Sequence, residues 1–118
     1  MPLHMVGLVL FFALLAQGST PPPPRKVTVE AERFSFTPSR IRVAVGEEIE
    51  IHLRSADTSH GFDVAGTDIN VAIPKRGRGE VVVSFKGEQP GRFTFECNRM
   101  CGAGHHFMRG EIVVEARE

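Results

Sequence analysis

The chain has 118 residues, the size of a single domain built around one core. Its 14 Lys plus Arg balance 14 Asp plus Glu, so no long-range field draws it to nucleic acid or to anionic lipid. Apolar residues at 42% and charged residues at 24% exclude a disordered composition, and with Trp and Tyr both absent the nine Phe residues must supply the aromatic core.

The apolar run Met5 to Ala16, followed by the small residues of Ala16-Gln17-Gly18, predicts an export signal cut after Gly18 or a short membrane anchor over residues 1–18. The run is shorter than the roughly 20 residues that a span requires unless flanking residues extend it. Consecutive prolines then make residues 19–25 a linker, because they cannot donate to a helix or a sheet. The folded domain is expected over residues 26–118. Export would put it in the periplasm or on the outer face of the cytoplasmic membrane, with any membrane association made through the N-terminus.

From Lys26 onward apolar residues recur with period two. Val27, Val29 and Ala31 form the first set; Phe34 and Phe36 follow, ended by Pro38. Ile41, Val43 and Val45 lead through Gly46, read as a tight hairpin connection, to Ile49, Ile51 and Leu53. Phe62 to Val64, Glu80 to Phe85, Arg92 to Cys97 and Glu111 to Glu115 complete the series, and Gly77-Arg78-Gly79 is a loop. No segment carries an amphipathic helix longer than a turn or two. About seven short strands at roughly ten-residue spacing predict an all-β, antiparallel sandwich or barrel.

The only two cysteines open the segment Cys97 to Met108, which reads Cys-x3-Cys-x3-His-x2-Met. Four soft or borderline donors within twelve residues, on a stretch made pliable by Gly102 and Gly104, can converge on one point. Thiolate, imidazole and thioether together suit copper better than magnesium, calcium or manganese, and Met108 argues against zinc. A second imidazole is expected from His60, at the start of a strand after Ser55 to Ser59. His52 alternates outward, and the spacing from Cys101 favours His105 over His106. Phe107 is expected to cover the site from water and Met100 to pack in the loop. The bland alternative is a disulfide between Cys97 and Cys101. No nucleophile–base pair or substrate pocket is evident, so no catalytic centre is expected on this chain.

Cys97, Cys101, Gly102, His105 and Met108, together with Asp57-Thr58-Ser59-His60, resemble the binuclear copper (CuA) domain of cytochrome c oxidase subunit II. The resemblance extends over Phe34 to Glu115 and includes the cupredoxin-like run Phe36-x-Pro38-x-x-Ile41-x-Val43-x-x-Gly46-Glu47. It implies a Greek-key cupredoxin-like β-sandwich in which Cys97 and Cys101 bridge two copper ions. His60 and His105 would each bind one copper, with Met108 and the backbone carbonyl of Arg99 as weak ligands. The implied role is one-electron transfer in a respiratory chain. A c-type cytochrome or similar protein would be the donor, and oxidase subunit I a candidate partner. Three other readings stay open: the CuA domain of a nitrous oxide reductase, which has the same ligand set but normally accompanies a catalytic domain; a mononuclear blue copper carrier using His60, Cys101, His105 and Met108; and a periplasmic copper-delivery or storage protein.

Overall fold

Alternation of apolar and polar residues decides which side of each strand is buried, and the two buried faces meet as one core. A computed structural model of the chain describes residues 2, 3, 7, 9, 10, 20 and 22–117. Most of the apolar run and part of the proline linker therefore lie outside the described residues. No helix among the described residues is long and apolar enough to cross a membrane.

The strands are β1 (Arg25–Glu32), β2 (Ser35–Thr37), β3 (Arg40–Ala44), β4 (Glu48–Ser55), β5 (His60–Val64), β6 (Asn70–Ile73), β7 (Val81–Lys86), β8 (Gly91–Glu96) and β9 (Arg109–Glu115). They form a four-stranded sheet in the order β2-β1-β4-β7 and a five-stranded sheet in the order β3-β9-β8-β5-β6. The all-β sandwich is as expected, with the chain crossing repeatedly between sheets in the Greek-key manner. Among the described residues nine strands replace the expected seven or so, and the sheets are mixed, because β1 runs parallel to β4 and β3 parallel to β9. Gly46 does make a tight turn, with φ at +78° and the Glu47 N–H donating to the Ala44 carbonyl. It is not a hairpin, however: β3 and β4 lie in different sheets, and the turn hands the chain from one layer to the other. Period two is the same on both sides of such a turn, so sequence cannot tell a hairpin from a crossing.

Val29 and Ala31, Ile41 and Val43, Ile49, Ile51 and Leu53, and Ile112 and Val114 all point inward and are buried. Phe36, Phe62 and Phe95 join the two layers, with ring centroids 4.9–5.7 Å apart. Each buried ring contributes about 1.5–3 kcal/mol. Strand β5 departs from alternation: His60, Gly61, Phe62 and Val64 are all buried. Its first residues are covered from outside by the chain after β8, and a Cβ on Gly61 would lie 2.0 Å from Asn98 Oδ1. Three connections lie against one another at this end of the sandwich: Arg33-Phe34 between β1 and β2, residues 56–59 between β4 and β5, and residues 97–108 between β8 and β9.

Candidate metal centre

Segment 97–108 is a closed loop because its ends are pinned to each other: the Cys97 N–H donates to the Met108 carbonyl at 3.1 Å. Within it Gly102 takes φ +142°, a conformation that a side chain would strain, and the loop then turns through a short 3-10 helix, His105–Phe107. This return carries His105 and Met108 back over Cys101. The two thiols are free, with their sulfurs 3.7 Å apart, and both residues are buried. No disulfide joins them.

Each sulfur has its own imidazole. His60 Nδ1 lies 4.0 Å from Cys97 Sγ, and His105 Nδ1 lies 3.6 Å from Cys101 Sγ. Met108 Sδ is 3.8 Å from Cys101 Sγ, whereas the Arg99 carbonyl is 3.2 Å from Cys97 Sγ. The Gly61 N–H points at Cys97 Sγ from 3.3 Å. All six residues expected from sequence and resemblance, His60, Cys97, Arg99, Cys101, His105 and Met108, are thus brought together. The donor atoms of His60, Cys97 and Cys101 fall within 4.8 Å of one another. Thiolate, imidazole and thioether in one buried cluster fit a soft or borderline transition metal, and the weak carbonyl and thioether donors sit on opposite sulfurs.

Asp57 stands behind His60 and was legible in sequence only as a position three residues upstream. Its Oδ1 accepts from His60 Nε2 at 2.7 Å, which leaves Nδ1 turned to the sulfur. The carboxylate also accepts the backbone N–H groups of Arg33, at 2.9 Å, and Thr58, at 2.7 Å. The Ser55 hydroxyl donates to the Thr58 carbonyl and so closes the same turn. Partial burial alone would raise the Asp57 carboxyl, but the hydrogen bonds from Arg33, His60 and Thr58 outweigh it and hold the group below the usual carboxylate range. Cys101 goes the other way: burial, and then the neighbouring Cys97, push its thiol up to about 11. The metal-free cluster therefore keeps a proton on sulfur that a metal must displace.

Two sequence expectations fail. Phe107 is 81% exposed and covers nothing, because the 3-10 turn that aims His105 inward throws the next two residues outward. Met100 is 82% exposed rather than packed in the loop. What covers the sulfur–imidazole cluster is backbone and the Phe34 ring: a Cβ on Gly104 would lie 2.4 Å from it. A polar cleft of about 220 Å³, lined by Glu96, Cys97, Asn98, His105, His106 and Arg109, opens beside the centre. His52 faces outward as expected and lies between Glu80, at 3.0 Å, and Glu50, at 3.2 Å.

The sequence matches the family model of the cupredoxin-like domain over residues 4–114. Cytochrome c oxidase subunit 2 of Thermus thermophilus is 41% identical over 97 residues, a match that spans 81% of this chain and 70% of the relative. Among solved structures, a chain of a heme-copper terminal oxidase dimer superposes with a TM-score of 0.69 at 29% identity, over 79% of this chain and 66% of that one. The periplasmic domain of cytochrome oxidase subunit II of Bradyrhizobium japonicum gives a TM-score of 0.71 at 19% identity, over 81% and 87% of the two chains, and attests the fold.

Proposed function

On the premise that the chain belongs to the cupredoxin-like domains and, among them, to the cytochrome c oxidase subunit 2 family, we propose that its loop-bearing end is a two-copper electron-transfer centre. The observation that carries the reading is the pair of free, buried sulfurs 3.7 Å apart, each flanked by its own imidazole. Bound copper would supply one-electron exchange between its two oxidation states. The chain supplies the rest. Cys97 and Cys101 are spaced to share metal between them, while His60 and His105 stand at the two ends. Met108 and the Arg99 carbonyl would be the weak donors. Burial of both cysteines and Met108 leaves water access only from the side of the polar cleft, and the strand-bound His60 resists movement on a change of charge.

A mononuclear blue copper site would leave Cys97 without a role, yet Cys97 contacts His60, Arg99, Gly61 and Cys101. That set of contacts favours two metals. The donor protein, on this reading a c-type cytochrome, would meet the exposed Met100 and Phe107, whose apolar side chains rim the ligand loop. Acceptance on the far side by an oxidase subunit I follows the same family logic. We further assign residues 1–18 to an export signal or anchor and 19–25 to a linker, with the domain outside the cytoplasmic membrane.

The test is copper stoichiometry with electron paramagnetic resonance. About two coppers per chain and a seven-line pattern, lost on Cys97→Ser, are expected. One copper with a four-line pattern, retained in Cys97→Ser, would mean a blue copper carrier. Rapid surrender of the metal to a moderate chelator without unfolding would mean copper delivery instead.

A further inference from the structure

We propose that Arg33 is a positioning residue of this centre, tying the His60 side to the Cys101 side and holding a fixed positive charge against the Cys101 backbone. The inference rests on the copper reading above. Its backbone N–H donates to Asp57 Oδ2 at 2.9 Å, and the other oxygen of the same carboxylate holds His60 Nε2 at 2.7 Å. Its side chain turns the opposite way, and Nε–H donates to the Cys101 carbonyl at 2.9 Å. One residue thus reaches both the connection that backs His60 and the loop that carries Cys101, which β5 to β8 separate in the chain.

The next residue reinforces the contact. A Cβ on Gly102 would lie 2.8 Å from the Phe34 ring and one on Gly104 2.4 Å, so the ring rests directly on the loop backbone. Arg33 and Phe34 together form the tip of the β1–β2 hairpin, a rigid support contributed by the opposite sheet. The Arg33–Cys101 bond is partly buried, and among the described residues no carboxylate forms an ion pair with this guanidinium. Its charge therefore acts on the centre, weakened by the solvent on its exposed side. A positive charge favours the reduced state, which carries one positive charge fewer.

Arg33→Gln removes the charge and the Nε–H; Arg33→Lys keeps the charge but not the planar donor. In the copper-loaded full chain, Arg33→Gln is expected to lower the reduction potential and to weaken copper retention against a chelator by about tenfold to hundredfold. Arg33→Lys is expected to hold the potential near wild type while still releasing copper more readily. Wild-type potential and wild-type retention in Arg33→Gln would overturn the proposal. So would a lowered melting temperature with both of those unmoved, since that is the signature of a brace for the fold alone. Should Arg33→Gln not fold, undiminished copper retention in Arg33→Lys overturns it equally. Failure of the wild-type chain to take up copper would instead remove the reading on which the inference rests.

Discussion

The two imidazoles of the centre are held by opposite means. His60 opens strand β5, is fully buried, pairs across to Ile73 and has a carboxylate behind it. His105 rides a single 3-10 turn, is half-buried, and among the described residues no carboxylate backs its ring. The first is fixed by sheet register, so its aim is settled by the same pairing that builds the core. The second belongs to a loop with no ladder of its own, and is fixed by contacts from outside, the Arg33-Phe34 tip above all. A site assembled in this way has one half as stable as the fold and one half able to yield locally.

The strongest blow to the strand-borne half is Phe62→Ala. It empties the aromatic cluster next to His60, and denaturant unfolding should show a loss of about 3–5 kcal/mol. Copper binding should fall with it. Next is Asp57→Ala, which leaves a buried ring nitrogen of His60 without its partner, at about 1–3 kcal/mol. Copper affinity by chelator competition should drop about tenfold to hundredfold. Because the Asp57 carboxyl is held low, its stabilisation is complete above the ordinary carboxylate value and fades as pH falls through the lowered one. The gap between wild type and variant should close in acid.

Phe34→Ala addresses the loop-borne half, with a smaller cost of about 1 kcal/mol. Its main effect should be faster alkylation of Cys101 in the metal-free chain, read by mass spectrometry, while the melting temperature barely moves. If Cys101 reacts no faster, the loop does not depend on the ring and the contrast between the two halves fails. The smallest effect is expected at His52, an imidazole outside the sulfur cluster. Hydrogen bonds that its ring donates to Glu80 and then Glu50 hold its pKa above the usual histidine value. Its contribution is present below that usual value and is lost as pH rises through the raised one. The melting-temperature deficit of His52→Gln should therefore be larger at pH 6 than at pH 9.

Period two made most strands readable, and the chemistry of Cys97, Cys101, His105 and Met108 made the ligand loop readable before any geometry. His60 followed from the need for a second imidazole. What sequence did not disclose was set by neighbours distant in the chain. β6 is only four residues long, so the alternation of Ile69, Val71 and Ile73 is too brief to stand out between its flanking turns, and the layer change at Gly46 has the same local pattern as a hairpin. Arg33 carries no sequence signal, because its two hydrogen bonds are made to segments that only the folded sandwich places beside it. Phe107 misled because an aromatic next to a ligand looks like cover until the turn geometry sends it outward.

The parallel pairing of β3 with β9 also bears on how the molecule is made. The five-stranded sheet cannot finish until its last strand has returned to one of the earliest, and such distant pairing slows folding into the millisecond-to-second range. The ligand loop lies immediately before that strand and is pinned shut by its own ends, so it takes shape as β9 docks. Both thiols are thus among the last groups of the chain to be sheltered, once β9 docks. The moment at which the cluster becomes fit to receive metal is the moment at which folding ends.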